Sequence, residues 1–197
     1  MSNPMNAQMA DQSDESLVEV AKKGDVNAFG ELARRYQKKV YNTIFGFIKN
    51  HEVTDDLAQE TFMFAYKSLK GFKQKSSFYT WIYRIAVNLT LNHLKKMKKE
   101  KGREDLKENL SPIEDSSASS FSPEGRSLKY ELQNRLEKAI DSLPLPYKST
   151  FSLVVLEGMS HGQAAQVLGC SENTVSWRMH KARKMLQAQL KPYFNEV

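Results

Sequence analysis

The sequence contains few of the residues that would cross-link, kink or anchor a chain. Of its 197 residues, one is cysteine (Cys170), six are proline and nine are glycine. A single cysteine excludes an internal disulfide and a zinc ribbon, and the low glycine and proline content excludes a collagen-like or wholly disordered chain. Apolar runs all fall well short of the roughly 20 residues that a membrane helix needs, and the N-terminus lacks the basic and apolar segments of a signal peptide. We therefore expect a cytoplasmic protein.

The positive charge is concentrated in one block. The net charge is +6, and residues 73–103 contain nine basic residues and one acidic residue, which gives +8. Residues 104–127 contain two basic and six acidic residues, which gives −4. Such a block favours a polyanion as partner. A solvated, lysine-rich helix end is the alternative.

Apolar residues recur with helical spacing along most of the chain, and no segment alternates with period two for long. This predicts an all-α fold of two small helical domains, at 14–101 and 128–191. An acidic, serine-rich segment over 102–127 is expected to join them as a flexible linker. Residues 1–13 and 192–197 are expected to be tails, the first of them disordered.

Potential caps and apolar stripes give the helix boundaries of the first domain. Asp25, Thr54 and either Ser76 or Ser77 are predicted N-caps. The second helix is expected to bury Phe29, Leu32, Ala33, Tyr36, Val40, Ile44 and Phe47. The third is expected to bury Leu57, Phe64, Ala65 and Leu69.

The segment SHGQAAQVLGCSENTVSWRMHKARKML is typical of a helix-turn-helix. Ser160 can cap a short first helix, Gly169 can make the turn, and Ser171 can cap the second helix. Ala165 is small where two helices must pack closely, and Val175 faces inward. An ordinary helical hairpin is the alternative.

The second helix of this segment separates into two faces when residues are placed 100° apart. Val175, Met179, Ala182 and Leu186 form the predicted buried face. The opposite side carries Asn173, Ser176, Trp177, His180, Lys181 and Lys184. A large aromatic residue among cations fits a helix in a DNA major groove. The alternative is that Trp177 packs on a neighbouring lobe.

Aromatic and basic residues alternate in FKQKSSFYTWIYRIAVNLTLNHLKKMKK. The aromatic residues are Phe72, Phe78, Tyr79, Trp81 and Tyr83, and the nearby cations are Lys73, Lys75 and Arg84. Asn88 and Asn92 share one helical face and can hydrogen-bond base edges. This composition suits single-stranded nucleic acid, because bases stack on the rings while the charges follow the backbone. Alternatively, the aromatic residues fill a small core.

Acidic residues cluster at the predicted start of the third helix, in VTDDLAQETF. A metal site is disfavoured, since no histidine or cysteine has matching spacing. Presentation of Asp55, Asp56, Gln59 and Glu60 to a basic partner is favoured, and a purely solubilising role is the alternative.

These segments, in this order, resemble a bacterial sigma factor of the extracytoplasmic-function (ECF) group. DDLAQETFMFAYKSL, FKQKSSFYTWIYRIAVN and LEGMSHGQAAQVLGCSENTVSWRMHKAR are similar to its regions 2.2, 2.3–2.4 and 4.1–4.2. The resemblance covers about residues 14–100 and 128–190. It departs from the family at Gln163 and Ala164, where Glu and Ile are usual, and at Trp177, where a small residue is common.

The resemblance implies core RNA polymerase, through its β′ clamp and β flap, and promoter DNA as partners, with an anti-sigma factor as a further partner. Asp55, Asp56, Gln59 and Glu60 would bind the clamp. The minus-10 element would be opened by Phe72, Lys73, Trp81, Tyr83, Arg84, Asn88 and Asn92, with a flipped base held by the loop Gly71–Ser77. The minus-35 element would be read by Asn173, Ser176, Trp177, Arg178, His180, Lys181 and Lys184.

A sigma factor implies no catalytic residues, no cofactor, no metal and no small-molecule substrate, because the polymerase performs the chemistry. The competing interpretation is a stand-alone helix-turn-helix regulator with an N-terminal sensor lobe. A duplex-only binder needs neither the acidic helix nor the aromatic and basic segment. A nuclease would need a constellation of carboxylates or histidines that the sequence does not offer.

Overall fold

The computed structural model describes residues 9–104 and 128–194. Within them the chain forms eight α-helices and no strand, which confirms the predicted all-α class. The helices are α1 (Asp14–Lys22), α2 (Val26–Ile48), α3 (His51–Ser68), α4 (Phe78–Glu104), α5 (Leu128–Asp141), α6 (Leu145–Phe151), α7 (His161–Leu168) and α8 (Glu172–Phe194). A 3-10 turn at Leu69–Gly71 follows α3, and a π-helical turn at Ser152–Leu156 follows α6. The predicted linker begins at residue 102, but α4 continues to Glu104. The rest of the predicted linker, residues 105–127, lies outside the described residues.

Helices α1–α4 form an N-terminal lobe, residues 9–104, around one apolar core. Leu17, Leu32, Ile44 and Ile82 are completely buried, and each contributes about 1.5–3 kcal/mol through removal from water. The predicted inner face of α2 is confirmed, with Ala33 and Tyr36 partly buried. Phe64, predicted in the core, is instead 55% exposed, because α3 turns that side of its surface away from α2 and α4.

The third helix begins one turn earlier than predicted. Asn50 is its N-cap and accepts a hydrogen bond from the Val53 N–H at 3.0 Å. Thr54, the predicted cap, is buried, and its hydroxyl donates to the Asn50 carbonyl at 2.6 Å. The cap of α2 is confirmed, since the Asp25 carboxylate accepts from two N–H groups at 2.8 and 3.0 Å.

The predicted disordered tail over 1–13 is wrong for residues 9–13. The Arg35 guanidinium donates to the carbonyls of Met9 and Ala10 at 3.0 and 2.8 Å. The same side chain pairs with Asp14 at 2.8 Å and with the buried Glu31 at 3.0 Å. The anchor is an arginine more than 20 residues away, so the local sequence could not reveal it. Residues 1–8 lie outside the described residues.

Helices α5–α8 form a C-terminal lobe, residues 128–194, whose centre is the inner face of α8. Val175, Met179, Ala182 and Leu186 are all less than 7% exposed, as predicted. Helical spacing in the sequence places Leu132, Leu136, Ala139 and Ile140 on one face of α5. Only Ala139 and Ile140 are buried, whereas Leu132 and Leu136 are 45% and 40% exposed. Helix α8 continues to Phe194, beyond the predicted end of the domain at 191.

The two lobes pack against each other, chiefly through α4 and α7. A second contact joins Lys49, at the end of α2, to Asp141, at the end of α5, with 3.5 Å between Nζ and Oδ2. The sequence predicted two lobes joined through a linker and gave no sign of this direct contact. It decides which of the predicted site residues are accessible.

Candidate nucleic-acid and protein interfaces

The acidic residues of α3 form an exposed surface. Asp55, Asp56, Gln59 and Glu60 are all exposed. Because α3 begins at His51, both aspartates lie in its second turn, where the helix dipole contributes little to stabilising their negative charge. The surface continues into two exposed apolar side chains, Met63 at 51% and Phe64 at 55%. Carboxylates that adjoin exposed apolar residues favour a protein interface over a purely solubilising role.

The aromatic residues around the start of α4 divide between core and surface. Phe72, Phe78 and Tyr83 are 6%, 3% and 0% exposed. Trp81 is half-buried and stacks on Phe72, with ring centroids 4.6 Å apart. The expected exposure of Phe72 and Tyr83 at a DNA surface is therefore wrong for this arrangement. Phe72 is drawn inward because a small helical lobe fills its core with rings, and it supports the more exposed indole.

Tyr83 is buried because the other lobe covers it. Its hydroxyl donates to the Glu157 carboxylate at 2.6 Å. Burial raises the pKa of Tyr83 far above its ordinary value, and the hydrogen bond to Glu157 raises it further. The raised pKa keeps the hydroxyl a protonated donor even in mildly alkaline solution.

The remaining predicted nucleic-acid residues of the N-terminal lobe are accessible. Lys73, Arg84, Asn88 and Asn92 are exposed, and together with the half-buried Trp81 they make up the α4 surface. The loop before α4 closes one side of a cavity of about 220 Å³. Its lining consists of Glu15, Val18, Phe72, Gln74, Ser76, Ser77 and Phe78. This cavity occupies the position at which the resemblance implies a pocket for a flipped base.

The helix-turn-helix is built by the local signals that predicted it. The Ser160 hydroxyl accepts from the Gln163 N–H at 3.2 Å, and the Gln163 side chain accepts from the Ser160 N–H at 3.0 Å. Glutamine thus completes the capping box, in which an amide oxygen serves as well as a carboxylate. Gly169 ends α7 with φ of 63°, and the Ser171 hydroxyl caps α8 by accepting from the Thr174 N–H at 3.2 Å.

The outer face of α8 is open to solvent, as its helical angles predict. Its exposed residues are Asn173, Ser176, Trp177, His180, Lys181 and Lys184. Trp177 is 52% exposed and leans on Tyr147 of the same lobe, with ring centroids 5.9 Å apart. The alternative that it packs on the neighbouring lobe is therefore wrong. Arg178 differs from its neighbours, since it is half-buried and its guanidinium lies 3.9 Å from the Cys170 sulfur.

Comparison with known proteins identifies the two lobes. The family model of sigma-70 region 2 matches residues 32–100, and that of sigma-70 region 4 matches residues 133–186. The ECF RNA polymerase sigma-E factor of Haemophilus influenzae is 34% identical over 188 residues, which cover 93% of this chain and 99% of the relative. The chain belongs to the ECF family of RNA polymerase sigma factors.

Two further relatives of this ECF sigma factor have similar coverage. The RNA polymerase sigma-H factor of Pseudomonas aeruginosa is 33% identical over 192 residues, which cover 96% of this chain and all of the relative. The sigma-E factor of Escherichia coli K12 is 34% identical over 195 residues, 95% of this chain and 98% of its own. The matches run through both lobes, so the similarity is not confined to the helix-turn-helix.

Solved structures show the same fold. CnrH, in complex with the cytosolic domain of CnrY, superposes with a TM-score of 0.67 at 24% identity, covering 92% of this chain and 99% of CnrH. The sigma factor RpoE of Bartonella quintana, in complex with the anti-sigma factor NepR, gives 0.65 at 22% identity, with coverage of 84% and 98%. The sigma-factor fold of this chain therefore rests on both sequence and structure.

Sequence reasoning missed Glu157, whose carboxylate is one of the contacts between the two lobes of this sigma factor. Its only sequence signal is that it is the one charged residue in the apolar run FSLVVLEGM.

Among the described residues, no cluster of three or more metal-ligating side chains occurs. Nor is any helix in that part of the chain long and apolar enough to span a membrane.

Gly169 has a positive φ of 63° in the turn of the helix-turn-helix, so replacing it should destabilise the fold. Gly169→Ala is expected to lower the free energy of unfolding by about 1–2 kcal/mol, because a Cβ is unfavourable in the left-handed region. Gly30→Ala is a matched control, since Gly30 lies on an exposed turn of α2 with nothing within 4 Å of an added Cβ. The control should stabilise by up to about 1 kcal/mol. Urea denaturation in which both variants shift the same way would contradict the argument.

Proposed function

We propose that this alternative sigma factor recruits core RNA polymerase to promoters with minus-35 and minus-10 elements, using one surface for each task. The observation that supports the proposal is that one chain presents the exposed outer face of α8, in a helix-turn-helix, and a separate aromatic and amide surface on α4. An ECF sigma factor needs both, because it must locate duplex DNA and also capture unpaired bases.

In the proposed division of labour, residues 14–101 act as region 2 and residues 128–191 as region 4. The exposed acidic residues of α3 bind the β′ clamp of the polymerase, and the C-terminal lobe contacts the β flap. On α8, Lys181 and Lys184 hold phosphates, while Ser176, Trp177 and His180 face base edges. Asn173 and Arg178 lie at the flank of this contact.

On the α4 surface, Asn88 and Asn92 hydrogen-bond unpaired bases of the minus-10 element, and Trp81 stacks on one of them. Lys73 and Arg84 follow the DNA backbone. Phe72 acts indirectly, since it supports the Trp81 ring from below. Tyr83 reaches DNA only when the lobes separate.

The protein is proposed to be a non-enzymatic, cytoplasmic initiation factor, because the polymerase that it serves performs the chemistry in that compartment. An anti-sigma factor is proposed as a further partner. The RpoE of Bartonella quintana, whose fold is similar to that of this chain, was solved in complex with an anti-sigma factor. The similarity to RpoE concerns the fold alone. A stand-alone regulator is not favoured, because the chain matches ECF sigma factors over both lobes.

Charge reversal on α3 tests the polymerase-binding role. Asp56→Arg is expected to weaken binding to core polymerase by about fivefold or more. A surface charge pair is worth up to about 1 kcal/mol, and reversal adds repulsion from a basic partner. The matched control is Asp11→Arg, which makes the same substitution at an exposed position ahead of α1. Fluorescence titration with core polymerase measures both. Equal affinities for Asp56→Arg and wild type would remove Asp56 from the interface.

A further inference from the structure

Glu157 binds three groups of the opposite lobe. Its carboxylate accepts a hydrogen bond from the Tyr83 hydroxyl at 2.6 Å and lies 2.7 Å from the Thr43 hydroxyl, whose single proton is shared with the Lys39 carbonyl at 2.9 Å. Its main-chain carbonyl accepts from the Tyr79 hydroxyl at 3.1 Å. These donors come from α2 and α4, so a single residue of the C-terminal lobe joins two helices of the N-terminal lobe.

A second cross-lobe contact lies at the ends of α2 and α5. Lys148 is only 8% exposed, pairs with Asp141 at 2.9 Å and lies 6.0 Å from the centre of the Phe47 ring. Asp141 also pairs with Lys49 of the N-terminal lobe at 3.5 Å. A lysine is rarely buried to this extent unless it is paired. The contact between the lobes is therefore a specific interface with partnered charges.

The closed arrangement is incompatible with simultaneous use of both DNA surfaces. Helix α7 packs on α4 and α8 packs on α7. At 8–10 Å between neighbouring helix axes, α8 lies roughly 20 Å from α4. Minus-35 and minus-10 elements are about 25 base pairs apart, or about 85 Å at 3.4 Å per base pair. The lobes must therefore separate before one chain can span a promoter.

The closed arrangement also covers Tyr83 and places α7 beside part of the α4 surface. Trp81 and Arg84 share a cleft of about 240 Å³ with Gln166 of α7. Tyr83 is completely covered. The outer face of α8, by contrast, remains exposed. Closure thus restricts the minus-10 contacts and leaves the minus-35 contacts accessible.

We propose that Glu157 is an autoinhibitory latch, which holds the free sigma factor closed through Tyr83 and Thr43 until core polymerase selects the open form. The proposal rests on the proposed function, since inhibition has meaning only if both lobes must engage polymerase and promoter. Loss of the carboxylate should shift the closed–open equilibrium toward the open form by about tenfold or more, because hydrogen bonds to a charged group are worth at least that factor.

Distance measurements on the free full-length chain test the latch. Spin labels are attached to K23C and Q187C in a C170S background, which places one label on each lobe at an exposed position. Double electron–electron resonance should give one short distance for the otherwise unsubstituted chain and a longer, broader distribution for Glu157→Ala. Thr43→Val keeps the side-chain volume and should give a smaller shift in the same direction. Glu137→Ala, which removes an exposed carboxylate from α5, should give the short distance.

Addition of Escherichia coli core polymerase separates failure of the latch from failure of the proposed function. Binding of core polymerase should lengthen the distance between the two spin labels in the chain that retains Glu157. The Glu157→Ala variant should bind core more tightly, and the gain in affinity should be no larger than the ratio of closed to open molecules in the free chain. A long distance in the free chain with Glu157, or a short one in Glu157→Ala with normal helicity, would overturn the latch. A distance that stays short when core is bound would overturn its inhibitory role. Absence of any binding to core would contradict the proposed function and leave the free-chain distances to decide the latch.

Discussion

Trp81→Ala is expected to slow opening of duplex promoter DNA by about 5- to 150-fold, because a base–aromatic stack is worth about 1–3 kcal/mol. The indole is half-buried on the Phe72 ring, so its removal also uncovers part of the core. Asn88→Ala avoids that complication, since Asn88 is exposed. Loss of one hydrogen bond should slow opening by about two- to tenfold.

Comparison of duplex and pre-melted templates isolates the opening step. Permanganate footprinting would follow opening on duplex promoter DNA and on the same DNA with a mismatched minus-10 bubble. Both variants should regain most of their activity on the bubble, because the unpairing free energy has been supplied. Asn134→Ala on α5 makes the same change in the other lobe and should behave as wild type. Equal losses on duplex and bubble would show that the α4 surface does not serve melting.

Trp177→Ser is expected to change which minus-35 sequences are preferred. A half-exposed indole on the outer face of α8 selects bases by shape and by contact with thymine methyl groups, where a good contact is worth about 1–3 kcal/mol of discrimination. Selection from randomised minus-35 elements with both proteins would reveal the change. Identical preferred sequences would show that the Tyr147 contact, not DNA, accounts for Trp177.

Lys181→Ala is expected to weaken binding at all promoters and to lower the salt dependence. If Lys181 holds one phosphate, the slope of log K against log salt should become less negative by about 0.9. Lys138→Ala on α5 is the matched control and should leave the slope unchanged. The Lys181 ammonium lies 5.8 Å from the Trp177 ring centre, so the two substitutions should be non-additive by about 0.5–1 kcal/mol.

The helix-turn-helix could be predicted in detail because its determinants are local. Caps at Ser160 and Ser171 act within three residues, and Gly169 supplies the left-handed turn by itself. The inner and outer faces of α8 follow from the fixed angle per residue in a helix. Exposure of Trp177 was predictable for the same reason, whereas its contact with Tyr147 was not.

The N-terminal lobe shows where local patterns become insufficient. Thr54 was the predicted cap of α3, but it is buried against the other helices, and Asn50, four residues earlier, is the cap instead. Periodicity placed Phe64 inside, but packing in three dimensions left it exposed. A helix with apolar residues on several sides has no unique inner face until its neighbours are in place.

The all-α class and the acidic, aromatic–amide and helix-turn-helix surfaces could be predicted from the amino-acid sequence, since each is encoded within one short segment, and their order along the chain carried the resemblance to a sigma factor. The covering of Tyr83, the anchoring of residues 9–13 by Arg35 and the joining of the lobes by Glu157 depend on tertiary packing. Tyr83 and Glu157 are 74 residues apart in the chain. A hydrogen bond over that separation depends on how two domains dock, and no local period or propensity contains that information.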